Sequence, residues 1–277
     1  MSRLKPWQLV LIYAIIALLA LFYIFPIYWA LITSLKTLPE MMASRPTFVP
    51  NEFTFAHYQA VIFRSKYFTF LKNSLLIGLF STVLTLVLSI GAGYAVSRLK
   101  FRGKRTFSMS ILAVYLFPGI LLIIPLFRVM AAVGLYDSIW SVVLIHVLLA
   151  LPFGIWTLST FIDAVPLELE DAARIDGASR LRTLGTVYLP LIGPGLATVA
   201  IFAFVVSWND YLFPSILLSS PRVQTVSVGI AGWTSTYAIN WGQISAASIL
   251  TIIPVVFFFA LVGRYFVSGL VAGAVKQ

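Results

Sequence analysis

Between Lys5 and Lys36 no acidic or basic side chain appears, and most residues are aliphatic or aromatic. That run is longer than the ~20 helical residues needed to cross a hydrocarbon layer about 30 Å thick. Further apolar segments follow, and together they predict six spans, at about 8–33, 70–96, 107–127, 138–161, 191–207 and 244–262. Composition agrees: of 277 residues, 60% are hydrophobic and 10% are charged, where a water-facing domain needs about 25% charged residues. Lipid offers backbone groups no partner, so the spans must be helices or the strands of a closed barrel. Barrel strands alternate polar and apolar residues, whereas these runs are apolar all round and read as helices. The expected fold is all-α: one polytopic transmembrane domain over residues 1–277, with six transmembrane helices and a short helix on the inner surface between spans four and five.

The chain has no cysteine, which excludes disulfide and thiol chemistry. Its two histidines cannot by themselves build a metal site. The net charge of +10 invites a nucleic-acid reading, but the basic residues lie in short loops beside apolar runs. That is the pattern of membrane topology, so the implied partner is the lipid bilayer and not nucleic acid. The basic N-terminal flank resembles that of a signal peptide, yet the run after it is too long for one and reads as an uncleaved first span. Arg98, Lys100, Arg102, Lys104 and Arg105 form a loop with no acid among them. The positive-inside rule puts this loop in the cytoplasm, and alternation of six spans puts both termini there too. Lys36, Arg45, Arg64, Lys66 and Lys72 count against this orientation, but the connection holding most of them is long enough to weaken the rule. Pro26, Pro118, Pro125, Pro152 and Pro254 fall in the spans and permit kinks, either as ordinary membrane-helix irregularity or around a substrate path.

One polar island interrupts the apolar pattern: EDAARIDGASRLRTLGTVYLP, residues 170–190. Pro166 suits the first turn of a helix. Glu168, Glu170 and Asp171 then stand near its positive end. Leu169, Ala172, Ala173 and Asp176 recur at helical spacing on one face. Gly177 is a stop signal and Ser179 a cap for a second short helix, with Pro190 opening span five. A lone interfacial helix would carry Leu, Phe and Lys. The small Ala172–Ala173 face instead admits close approach by another molecule.

Asp171-Ala172-Ala173, then Gly177, then Val187-Tyr188-Leu189-Pro190 resembles the EAA signature of bacterial ABC importer permeases, with Asp171 in place of Glu and Val187 in place of Ile. The resemblance extends over nearly the whole chain, through the 164–179, 190–213 and 269–277 stretches. Within that family the chain is similar to the shorter six-span partner of a maltose-type, carbohydrate-uptake permease pair. The resemblance implies an ATP-driven importer of the inner membrane. Two permease subunits form its pore, two ATPase subunits dock on the EAA loops (here about 166–190), and an external binding protein delivers sugar. Glu170, Asp171, Ala172, Ala173, Asp176, Gly177, Leu189 and Pro190 would then couple this chain to an ATPase. The sequence contains no GxxxxGK[ST] phosphate loop, so the chain is expected not to be an enzyme and to hold no cofactor, with ATP and Mg in the partner subunits.

His146 lies about eight residues into span four, roughly 12 Å deep. An ionisable group there is either a substrate-path residue or a neutral histidine bonded to a neighbouring helix. Trp208, Asn209, Asp210 and Tyr211 end span five, as helix-end packing or as an aromatic and polar surface for a sugar. Gly229, Gly232, Trp233, Tyr237, Asn240 and Trp241 lie in an aromatic connection before span six. The resemblance assigns such a loop to contact with the binding protein; the alternative is a re-entrant segment packed on the permease. The tail 269–277 reads alone as a frayed terminus, and by resemblance as a segment between ATPase subunits.

A stand-alone secondary transporter or channel would favour paired intramembrane charges or inverted repeats, and neither is visible. A membrane anchor without transport would not need the EAA spacing. Within the importer reading the cargo is a disaccharide or oligosaccharide, with a polyol or glycerol-phosphate compound as the alternative.

Overall fold

The computed structural model describes residues 5–113, 118–234 and 240–274. Among them the long elements are helices. Four are long and apolar enough to cross a membrane: Pro6–Ser34, Tyr67–Arg98, Ile139–Asp163 and Trp241–Gly263. A fifth candidate is a bent pair, Arg180–Leu191 and Gly193–Asn209, whose axes differ by 83°. The expected third span, 107–127, is not seen as one helix. Lys104–Ala113 precedes residues outside the description, and a 3-10 turn at Gly119–Leu122 then leads into Ile123–Ala132.

Packing divides the chain into two compact units. One draws on residues within 1–68 and 230–254. The face of Pro6–Ser34 is apolar and open, with Val10, Leu18, Leu21, Phe22 and Tyr23 all more than two-thirds exposed. Such a surface belongs against lipid or another chain. The connection after it is folded. Thr47 Oγ1 donates to Glu40 Oε1 at 2.5 Å, and Asn51 N–H donates to the same carboxylate at 3.1 and 3.2 Å. Lys36 is buried, donates to the Thr47 carbonyl, and lies 5.0 Å from the centre of the Trp29 ring. Its charge is spent inside this fold. Gly242 lies against His57, where a Cβ would come within 2.4 Å of the imidazole.

The second unit draws on residues within 69–229 and 255–277. Tyr67–Arg98, Ile139–Asp163 and Gly193–Asn209 supply most of its interior. They approach closely because small residues stand at the crossings, as membrane helices require. A Cβ on Gly93 would lie 3.2 Å from Leu158 Cβ, and one on Gly195 only 2.7 Å from the Phe161 ring. Two apolar clusters flank the crossings. One centres on Ile77, Val142, Ile145, Phe213 and Leu217, the other on Tyr94, Leu158, Ile162, Tyr188 and Val199.

Candidate functional site

The polar island is built from local rules. Pro166 is the N-cap of helix Leu167–Ile175, with Glu168 and Glu170 in its first turn. Gly177 has φ +76°, a value that L side chains avoid. This lets Gly177 N–H reach the Arg174 carbonyl at 3.0 Å and Ala178 N–H the Ala173 carbonyl at 2.9 Å. That pair of bonds is a Schellman ending. Ser179 then caps the next helix, its side chain accepting from Arg182 N–H at 3.4 Å. A π-helical turn, Leu184–Tyr188, and a short turn, Leu189–Leu191, carry the chain to the bend at Ile192. Pro190 sits within the first member of the bent pair. It lies before the bend, and the longer helix starts at Gly193 with Pro194 in its first turn.

The motif residues divide into two groups. Asp171, Ala172, Asp176, Gly177 and Pro190 are exposed, and Ala173 and Leu189 are half-buried. Leu167, Leu169 and Ile175 are also exposed, Ile175 by 87%, so the helix shows an outward surface of small and apolar groups. Glu170 points the other way and is only 4% exposed. Its Oε1 accepts from Arg174 Nη2 at 2.6 Å and from Tyr94 Oη at 3.4 Å. Its Oε2 accepts from Tyr188 Oη and lies 3.8 Å from Arg98 Nε. Arg98 Nη2 donates to the Ile162 carbonyl at 2.7 Å and to that of Val165. One buried carboxylate thus meets Arg174 of its own helix and groups from two other parts of the chain, and its charge is matched rather than stranded. Sequence reasoning named Glu170 but missed Tyr94, Arg98 and Tyr188. It took Arg98 as a topology charge only, and the structure adds that the side chain is 9% exposed and faces Glu170. The available signal was an arginine flush with the end of an apolar run.

The second polar cluster involves the other end of helix Ile139–Asp163. His146 is fully buried. Its Nδ1 is 2.8 Å from Ser207 Oγ and its Nε2 is 2.9 Å from Asp210 Oδ2. Asp210 also accepts from Leu212 N–H at 2.9 Å, and its carbonyl accepts from Ser227 Oγ at 2.9 Å. Trp208 is buried and stacks on Phe204 at 5.3 Å, while Asn209 and Tyr211 are exposed. The structure therefore brings His146 and Asp210 together and separates Trp208 from Tyr211 by burial.

The described residues of the aromatic connection differ in setting. Gly229 is packed on Phe70 with no room for a side chain: a Cβ would lie 2.1 Å from the ring. The stretch before it is tied down, because Asn73 Nδ2 donates to the carbonyls of Arg222 and Gln224 at 3.0 and 2.9 Å. Gly232 is exposed and Trp233 half-buried. Asn240 Oδ1 accepts from Gln243 N–H at 3.1 Å at the start of the last long helix, and Trp241 is 59% exposed. Tyr237 lies outside the described residues. Among the described residues no His, Cys, Asp or Glu group could hold a metal ion.

Residues 68–271 match the family described as binding-protein-dependent transport system inner membrane component. The chain is 40% identical over 267 residues to the inner membrane ABC transporter permease protein YcjP of Escherichia coli (strain K12), with 95% of each chain covered. It is 38% identical over 253 residues to the trehalose transport system permease protein SugB of Mycobacterium tuberculosis (strain CDC 1551 / Oshkosh), covering 91% of this chain and 92% of that one. A chain from the crystal structure of a bacterial ABC transporter involved in the import of the acidic polysaccharide alginate has the same fold. The TM-score is 0.82, with 96% of this chain and 100% of that chain covered, at 23% identity.

Proposed function

We propose a role that starts from one plain premise: this chain belongs to the family of binding-protein-dependent transport system inner membrane components. It is a multi-pass protein of the inner membrane. In the proposed role it is one permease subunit of an ATP-driven importer and carries a sugar or oligosaccharide inward. Its partners are a second, homologous permease, two ATPase subunits and an external binding protein. The expected six spans, with both termini in the cytoplasm, belong to this proposal. So does the assignment of ATP and Mg to the ATPase subunits, since this chain has no phosphate-loop signature.

The observation that carries the reading is the two-sided helix Leu167–Ile175. Its outer side offers Leu167, Leu169, Ala172 and Ile175 in a polar setting, and its inner side is fixed by Glu170. A partner that grips the outer side moves whatever Glu170 holds. That is the mechanical form a coupling helix needs, because this chain must borrow its energy. Trehalose transport by a 38% identical relative favours a sugar cargo; a polyol or glycerol-phosphate compound is the alternative. Asn209, Asp210 and Tyr211 are proposed to line the substrate path near Trp208, with the buried His146 holding Asp210 in place behind them. Gly232, Trp233, Asn240 and Trp241, with Tyr237, are proposed to contact the binding protein, while Gly229 is packed within the chain against Phe70.

The test is uptake in proteoliposomes. With ATP inside, ATPase subunits, binding protein and both permeases, a radiolabelled disaccharide should enter. Omitting the second permease should abolish entry. Equal uptake by this chain and the ATPase alone would replace the heteromeric pair with a homodimer. Uptake that needs no ATPase subunit would overturn the reading.

A further inference from the structure

The Glu170 cluster contains a mismatch. Arg98 Nε is buried and has no hydrogen-bond partner among the described residues. The group it faces, Glu170 Oε2, stands at 3.8 Å, too far for a hydrogen bond. The guanidinium is not free to swing, because Nη2 is held by the Ile162 and Val165 carbonyls and the group lies 5.4 Å from the centre of the Tyr188 ring. On the other side of the carboxylate, the Tyr94 hydroxyl bond is long at 3.4 Å. A buried orphan donor asks for an explanation. A shift of Glu170 toward Arg98 by about 1 Å would complete the N–H···O bond within ordinary limits. The same shift would trade away bonds that Tyr94, Tyr188 or Arg174 now make.

We propose that Glu170 is a positioning residue that acts as a two-position pin between the Leu167–Ile175 helix and the ends of the helices around it. In one position the carboxylate is held by Tyr188 and Arg174, as seen here. In the other it engages Arg98 Nε. Arg98 closes helix Tyr67–Arg98 and grips the end of Ile139–Asp163, and Tyr188 closes the π-helical turn before the 83° bend. Displacement of the helix is thus converted into a choice between two hydrogen-bond sets, one leaning on two helix ends and the other on the bend. Discrete arrangements of this kind carry coupling between distant sites, and altering one changes it without touching a ligand. The alternative, a static staple, gives no role to the unfilled Nε–H. The inference rests on the proposed import function and assigns the residue that links its two ends.

The experiment compares substrate moved per ATP hydrolysed for wild type, Glu170→Gln and Tyr188→Phe in the reconstituted complex. Retention of the ATPase subunits is measured alongside. Glu170→Gln keeps the shape and removes the charge; Tyr188→Phe keeps the ring and removes one hydroxyl. Both complexes should keep their ATPase subunits. Transport per ATP should fall about tenfold in Glu170→Gln and about threefold in Tyr188→Phe, the range expected of residues that carry coupling. A wild-type complex that shows no ATP-driven uptake overturns the functional reading and, with it, the pin. If wild type imports and Tyr188→Phe imports at the same ratio, the pin is wrong. Loss of the ATPase subunits from Tyr188→Phe would also overturn it, since the network would then only hold a docking surface in shape.

Discussion

Helix Ile139–Asp163 is involved in a buried polar cluster near each end, and the two are built differently. Near its start, His146 meets Ser207 and Asp210, so the cluster joins that helix to the end of Gly193–Asn209. Near its other end, the Ile162 and Val165 carbonyls receive Arg98, and Glu170 gathers Tyr94, Arg174 and Tyr188. The first is a compact knot with a histidine ring contacted on both nitrogens. The second is a junction of charges with one donor left unfilled. The difference separates two tasks. A knot fixes the spacing of two helices, whereas a junction with a spare donor can be rearranged when something pushes on it.

The largest expected effect comes from removing the centre of each cluster. Glu170→Ala leaves Arg98 buried without its carboxylate, a loss on the order of 3–5 kcal/mol for a broken buried ion pair. His146→Ala strips partners from Ser207 and Asp210, which costs about 1–3 kcal/mol for unsatisfied buried groups. Thermal unfolding of the purified variants in one detergent should rank them in that order. The reverse ranking would break the comparison by making the His146 knot the principal support.

A smaller effect is expected from the turn that presents the junction. Gly177→Ala forces an L side chain to φ +76°, at about 1–2 kcal/mol. No atom lies near enough to clash with the added methyl, so the cost is backbone strain alone. Hydrogen exchange should quicken over 171–178 and stay unchanged around His146. Faster exchange in both places would mean that the two clusters are not separable.

The smallest effect lies outside both clusters and serves as a control. The Thr47 hydroxyl bond, aided by Asn51 N–H and the Lys36 charge, holds the Glu40 carboxyl below its ordinary value of 4.5 against the opposing pull of desolvation. A depressed carboxyl adds stability that is present above its unfolded value and lost as pH falls through the folded one. Limited proteolysis of the 35–55 connection should therefore be slow at pH 7 and speed up below about 4.5, while Glu40→Gln should remove most of this pH dependence.

The sequence was most readable where structure is local. Pro166, Gly177 and Ser179 announced a helix, its stop and the next cap, because each acts on backbone within a few residues. His146 stood out as an ionisable residue in an apolar run, and Asp210 was flagged separately. Their pairing across 64 positions was not legible, since nothing local encodes it. The partners of Arg98 and Lys36 were not legible for the same reason: both look like loop charges until the groups that bury them are known. The bend at Ile192 was hidden between Pro190 and Pro194, either of which reads as a helix start.

In the proposed mechanism an ATPase subunit grips the outward side of Leu167–Ile175 and drives the chain through it. Ala172→Trp tests this directly, because Ala172 is exposed and lies on the side of the helix away from Glu170. In proteoliposomes holding the complete complex, substrate-stimulated ATPase activity and ATP-driven uptake should both be lost, with the chain still in the membrane. Wild-type stimulation and uptake by the Ala172→Trp complex would contradict the claim.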